Sequence, residues 1–129
     1  MTVERHGSGV EYESVVGYSR VVRAGSHVWV AGCTATTEDG AIVGPGDPYV
    51  QAQQTLSNLE AALAQVGGRL DDVVRTRMYV TDISQWEAVA RAHGEVFGDI
   101  RPVTAMVEVS ALLDPRMMVE IEADAFLGG

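Results

Sequence analysis

Two glutamates in the run Val119-Glu120-Ile121-Glu122-Ala123 have the residue type and spacing to do acid–base chemistry. Alternation along an extended strand puts both carboxylates on one face. In a partly dry cleft such a group has its pKa raised and serves as general acid or base. On a solvated strand face the same pair is ordinary surface charge. Arg20 lies two residues after Tyr18 and so shares its face, and Arg101 stands just before the Pro102-Val103-Thr104 entry to a strand. Each is a candidate anion grip, and each also reads as a solvated surface cation. Cys33, directly after Gly32, is a nucleophile only with a base beside it. No such base is identifiable, so it reads as a buried structural cysteine. His93 falls on the apolar stripe of a helix and reads as a satisfied core or interface histidine. His6 and His27 are not spaced to join it as ligands, so no metal site is expected.

The elements that must position these groups follow from periodicity and punctuation. A short strand is expected over Thr2–Arg5, broken by Gly7-Ser8-Gly9. Tyr18–Arg23 and His27–Ala31, linked by Ala24-Gly25-Ser26, read as a hairpin, and Thr34–Asp47 as loop. Asp47 caps a helix with Pro48 at its first position and Gly67-Gly68 as its stop. Ala52, Leu56, Leu59, Leu63 and Val66 form its apolar stripe. Val73–Thr81 is a strand. Asp82 or Ser84 caps a second helix carrying Trp86, Val89, Ala90, His93, Val96 and Phe97 on one face and ending at Gly98. Thr104–Val109 and Met118–Phe126 are the last strands, and Gly128-Gly129 is a tail. The expected order is ββαβαββ or close to it, in one domain spanning 1–129. Two helices cover only one face of such a sheet. Val28, Val30, Val107, Val109, Ile121 and Ala123 suggest a partly apolar second face, which implies burial against another subunit.

With 129 residues, 47% of them apolar and 21% charged, the chain has an ordinary globular composition and buries roughly two-thirds of its unfolded surface on folding. No apolar run approaches the roughly 18 residues that span a bilayer, and no signal-peptide pattern is present. A cytoplasmic protein with no membrane partner is expected. Cys33 is the only cysteine, which excludes an intramolecular disulfide and a multi-cysteine metal site. The formal net charge is −9 and every basic residue apart from histidine is arginine. An acidic surface repels a phosphate backbone, so nucleic acid is not an expected partner. The absence of lysine removes Schiff-base catalysis and the P-loop. No cofactor is expected.

Five stretches in register, the last running from Pro102 to Ala123, resemble the Rid (reactive intermediate deaminase, or YjgF) family. Gly17-Tyr18-Ser19-Arg20-Val21 is similar to its Gly-Pro-Tyr-Ser-Gln-Ala segment, and Val30-Ala31-Gly32-Cys33 to its Val-Ser-Gly-Gln. Gln51–Leu63, with Asn58, resembles its first helix, and Val73–Ile83 its Val-x-x-Thr-x-x-Val-x-Asp-Ile strand. Pro102-Val103-Thr104-Ala105, followed by Val107-Glu108-Val109, matches Pro-Ala-Arg-Ser and Val-Glu-Val, and Val119–Ala123 matches Ile-Glu-Ile-Glu-Ala. Ala90 also replaces a family asparagine.

The resemblance implies a chorismate-mutase-like α+β protomer, two helices packed on one face of a mixed sheet. It further implies a homotrimeric barrel with ligand clefts between subunits. Family members hydrolyse enamines and imines such as 2-aminoacrylate to 2-keto acids and ammonia. The implied catalytic residue is Glu120, with Tyr18, Gly32, Cys33, Thr104 and Met106 lining the cleft and Arg20 or Arg101 as the candidate replacement cation. Where the family has its substrate-binding arginine this chain has Thr104. A guanidinium fork holds a carboxylate with two parallel bonds, whereas a hydroxyl offers one neutral donor. The difference is about 0.5–2 kcal/mol. Three readings follow: an enamine/imine deaminase, a non-catalytic metabolite sensor or enzyme-stabilising protein, and a pathway-specific enzyme acting on a larger substrate. Some relatives are reported to cut RNA, which the charge balance here opposes.

Overall fold

A computed structural model describes residues 2–128, so Met1 and the Gly129 of the expected tail lie outside the described residues. The elements are β1 (Val3–His6), α1 (Glu11–Val16), β2 (Val21–Ala24), β3 (His27–Cys33), α2 (Pro48–Ala64), β4 (Val73–Val80), α3 (Trp86–Phe97), β5 (Val103–Glu108) and β6 (Val119–Phe126). The strands form one six-stranded sheet in the order β1-β2-β3-β6-β4-β5. Every pairing is antiparallel except β4 with β5. The strands of that parallel pair are joined by a crossover through α3, as a parallel pair requires.

Both long helices form where capping chemistry and apolar spacing agree. Asp47 Oδ1 accepts from the backbone N–H of Tyr49 and of Val50, both at 3.1 Å, satisfying two free donors at the start of α2. Ala52, Leu56, Leu59, Leu63 and Val66 are all buried against the sheet. At α3 the cap differs from the expectation. Asp82 closes a single 3₁₀ turn, Ile83–Gln85, and the α-helix begins only at Trp86. Trp86, expected on the buried stripe, is exposed because it sits at that first helical position, ahead of the packed face formed by Val89, Ala92, His93 and Phe97.

Both helices cover the same face of the sheet, as expected. The residues named for the opposite face need correction. Val28, Val30, Ile121 and Ala123 point toward the helices and belong to the main core. The period of two instead puts Trp29, Glu120, Glu122, Asp124 and Phe126 of the central strands on the uncovered face. Val103, Ala105 and Val107 of β5 lie on that face too, beside Arg75, Arg77 and Tyr79 of β4. It is thus apolar at its two ends and ionic across its middle. There Glu122 accepts from Tyr79 Oη at 2.6 Å and Arg77 Nη1 lies 3.5 Å from Glu122 and 3.6 Å from Asp124.

The short helix α1 was not expected. Its Val15 and Val16 are exposed, so no apolar stripe announces it, and Glu13 is its only buried residue. Gly17, in the left-handed conformation at φ 88°, ends it by returning its N–H to the Glu13 carbonyl. Among the described residues no helix is long and apolar enough to cross a membrane.

Candidate functional site

A cavity of about 330 Å³ opens at the end of the sheet where β3 and β6 meet. Its walls come from the segment before α1, from the start of β2, from the β3 bulge and the loop after it, and from one side of α2. The bulge is local to the site. Regular β3–β6 pairing runs from His27 to Val30, shifts, and resumes at Cys33 opposite Ile121. Ala31 and Gly32 occupy the irregularity, a common device for re-aiming groups at the rim of a sheet.

Gly32 is needed there because of its neighbour. A Cβ at this position would lie 2.6 Å from Glu120 Oε2 and 2.7 Å from its carboxyl carbon. The Glu120 side chain therefore rests directly on bare backbone. It is half-buried and accepts no hydrogen bond from any described residue. Burial pushes its pKa above the usual carboxylate range, the Glu122 charge adds to this, and Arg20 opposes it.

Arg20 is buried beneath the same cavity. Its Nε donates to Glu13 Oε2 at 3.2 Å, its Nη1 to the Gly32 carbonyl at 2.5 Å and its Nη2 to Tyr18 Oη at 3.1 Å. Glu13 in turn accepts from Ser8 through the backbone N–H at 2.9 Å and through Oγ at 2.5 Å. Burial alone would raise the Glu13 pKa, but the bonds from Ser8 and the adjacent guanidinium hold it below the usual range. The function of α1 follows from this: one helical turn carries a single carboxylate inward to neutralise Arg20. Cys33 is buried, and desolvation pushes its thiol up to about 11 despite the nearby guanidinium, so it is not a ready nucleophile.

The loop after β3 is fixed to the helix layer by two side chains. Asn58 Nδ2 donates to the carbonyls of Thr34 and Thr36, each at 2.9 Å. Gln51, fully buried, donates to the carbonyls of Gly44 and Arg116 and accepts from the Met118 N–H. Together they hold the cavity wall and the entry to β6 against α2.

Of the residues expected to act together, Tyr18, Arg20, Gly32, Cys33 and Glu120 line this one cavity. Thr104, Met106 and Arg101 do not. Thr104 and Met106 lie on β5, the far edge of the sheet, with β4 and β6 between them and β3. Thr104 accepts from Thr76 Oγ1 at 2.7 Å, and Thr76 is also 2.9 Å from His93 Nε2. With Thr76 donating to Thr104, His93 is left to donate, and desolvation lowers its pKa and favours the neutral ring. Arg101, at φ 57°, donates from Nε to the Gly98 carbonyl at the end of α3. Glu13 and Ser8 are the members that sequence reasoning missed. Their one legible signal was a Glu-Tyr-Glu-Ser run between the turn glycines Gly9 and Gly17. Among the described residues no group of three His, Cys, Asp or Glu side chains is arranged to hold a metal.

The model of the Endoribonuclease L-PSP family matches residues 9–127. The crystal structure of Rv2704 from Mycobacterium tuberculosis, a member of the YjgF/YER057c/UK114 family, superposes with a TM-score of 0.87 at 52% identity, covering 97% of this chain and 99% of that one. SCO2049 of Streptomyces coelicolor is 38% identical over 98% of this chain and 93% of its own length. The RutC family protein PYRAB12510 of Pyrococcus abyssi is 33% identical over 84% of this chain and 85% of its own.

Proposed function

The chain belongs to the Endoribonuclease L-PSP family, the YjgF/RutC/Rid group, and from that premise we propose that it hydrolyses imines or enamines in the Glu120 cavity. The observation that carries this reading is the state of Glu120: half-buried, unpaired, with a raised pKa, and held over Gly32 at the wall of a chamber of ligand size. A base whose pKa is shifted toward neutrality is matched to proton transfer at working pH. The substrate reacts as its iminium, to which an enamine converts by protonation at carbon. Glu120 takes a proton from water as the water oxygen bonds to the C=N carbon and the π pair moves to nitrogen, giving a neutral carbinolamine. Glu120 then returns that proton to the amino nitrogen, and the C–N bond breaks as a hydroxyl lone pair forms the C=O. The hydroxyl proton passes to the departing ammonia, so that a carbonyl compound and ammonium leave. Arg20 and Tyr18 fix the wall on which this happens and keep the Gly32 peptide in place.

The ribonuclease activity in the family's name is not the reading favoured here. A chain of net charge −9 repels a polyanion. The protein acts as a cytoplasmic homotrimer in this proposal. Apolar patches around Trp29, Phe126, Val103 and Val107, uncovered by either helix, support self-association. A second reading, a metabolite-binding protein without turnover, is favoured by one observation. Thr104 replaces the expected arginine with a hydroxyl already engaged by Thr76.

The test is ammonia release from freshly generated imines and enamines, 2-aminoacrylate among them, with Glu120→Gln as control. Release that falls at least tenfold in the variant supports hydrolysis. No release from any of them, with saturable metabolite binding, leaves the binding protein. Sedimentation at micromolar concentration tests assembly, and a stable folded single chain rejects the trimer.

A further inference from the structure

The unbalanced charge of the cavity is of one sign, and donors left free, such as the hydroxyls of Tyr12 and Tyr18, are neutral. Among the described residues that line it Arg20 is the only cation, and each of its three guanidinium nitrogens already donates to a protein acceptor. Either edge of the fork that could meet a carboxylate with two parallel bonds already has at least one nitrogen in use. Against this one cation stand Glu13, which pairs with it, Glu38 on the cavity wall, and Glu120. Neither Glu38 nor Glu120 has a partner among the described residues, but Glu38 is exposed to solvent whereas Glu120 is half-buried. A carboxylate-bearing ligand would meet net negative charge and no free fork, whereas a ligand bringing N–H donors would complete Glu120.

Size narrows the ligand further. At about 330 Å³ the cavity is in the size range of small-ligand sites and is roomier than a three-carbon imino acid requires. Val10, Ala61, Ala62, Leu113 and Met117 supply apolar wall, so the remaining volume suits hydrocarbon.

We propose that the cavity selects an amine or iminium that lacks a carboxylate and carries an apolar body, its nitrogen seated on Glu120. This rests on the reading of the cavity as the ligand site and sets its substrate class. It also sets the reaction class upstream: two-electron oxidation of a primary amine yields such an iminium, and its hydrolysis to carbonyl and ammonium needs only water.

The test uses three probes with one ring and different polar ends: 2-phenylethylamine, 2-phenylethanol and phenylacetate. Binding to the full-length protein is measured by calorimetry at neutral pH and low salt. The amine binds at least tenfold more tightly than phenylacetate, and Glu120→Gln brings the two within about threefold while changing alcohol binding little. The proposal is overturned if phenylacetate binds as tightly as the amine, if the amine is indifferent to Glu120→Gln, or if none of the three binds at millimolar concentration. Phenylacetate binding abolished by Arg101→Gln would overturn it in a particular way, showing that a second copy supplies the missing grip. Because these are binding measurements, they separate from the hydrolysis test. Amine preference without ammonia release sinks only the chemistry. Ammonia release with a carboxylate preference sinks only the ligand class.

Discussion

The two ends of the sheet solve the same problem, a polar group in a half-dry setting, in opposite ways. At the β3–β6 end, ionised groups are brought inward and balanced, Glu13 against Arg20, with one carboxylate left over. At the β5 edge, His93, Thr76 and Thr104 form a chain of neutral groups that uses its own donors and acceptors and keeps the histidine uncharged. The first arrangement leaves a valence for something else to fill. The second ends at the exposed Thr104 hydroxyl and leaves no charge to balance. A site is therefore better recognised by what remains unsatisfied than by how many polar residues gather.

The sharpest way to break this comparison is to unbalance the charged end. Glu13→Gln leaves Arg20 buried without its counter-charge, which costs about 3–5 kcal/mol. Denaturant unfolding should show this, and the Glu13→Gln/Arg20→Gln double variant should lose clearly less than the sum of the single losses. Equal and additive losses would mean that the pair is not coupled. At the neutral end the expected effect is smaller. Thr76→Val strands the His93 donor and costs about 1–3 kcal/mol, while 2-phenylethylamine affinity stays within twofold of the unaltered protein.

Gly32→Ala separates stability from function within the charged end. The atoms that a new methyl group meets belong to the flexible Glu120 side chain, so the fold loses only about 1 kcal/mol. The displaced carboxylate no longer faces the ligand, and amine affinity falls about tenfold. A variant that unfolds, or that binds normally, contradicts this account of the bulge.

The smallest effects are in pH dependence, and they have opposite signs. The Glu13 pKa is lowered by folding, so its contribution to stability is present above the ordinary carboxylate range and is lost as pH falls through its depressed value. The stability deficit of Glu13→Gln therefore shrinks in acid. The Glu120 pKa is raised, so full stability is present below the ordinary value and declines as pH rises through the raised one. Glu120→Gln should thus be more stable than the unaltered protein at neutral pH, with the gap closing in acid. Thermal melts across the acid range check both slopes.

How much was legible in the chain follows the range of each interaction. Asp47-Pro48 and the leucine spacing of α2, and the alternation of β6, are local signals, and the sequence alone determines them. It also determines that Glu120 and Glu122 share a face, that Cys33 has no disulfide partner, and, by five segments in register, the family. The apolar residues of β3 and β6 were legible as strand residues but not as to face. A sheet with one covered side and one ionic side gives both strands similar alternation, and only packing against α2 and α3 decides which phase points inward.

The cavity was decided by tertiary structure alone. Glu13 reaches Arg20 through a one-turn helix without an apolar stripe, Gly32 matters because a strand 88 residues later in the chain lays a carboxylate on it, and Thr104 stands apart because β4 and β6 are inserted between its strand and β3. Periodicity reports what lies within a few residues along one element. Which groups meet across elements, and which of them is left unpaired, depends on distances in space that one-dimensional order does not encode.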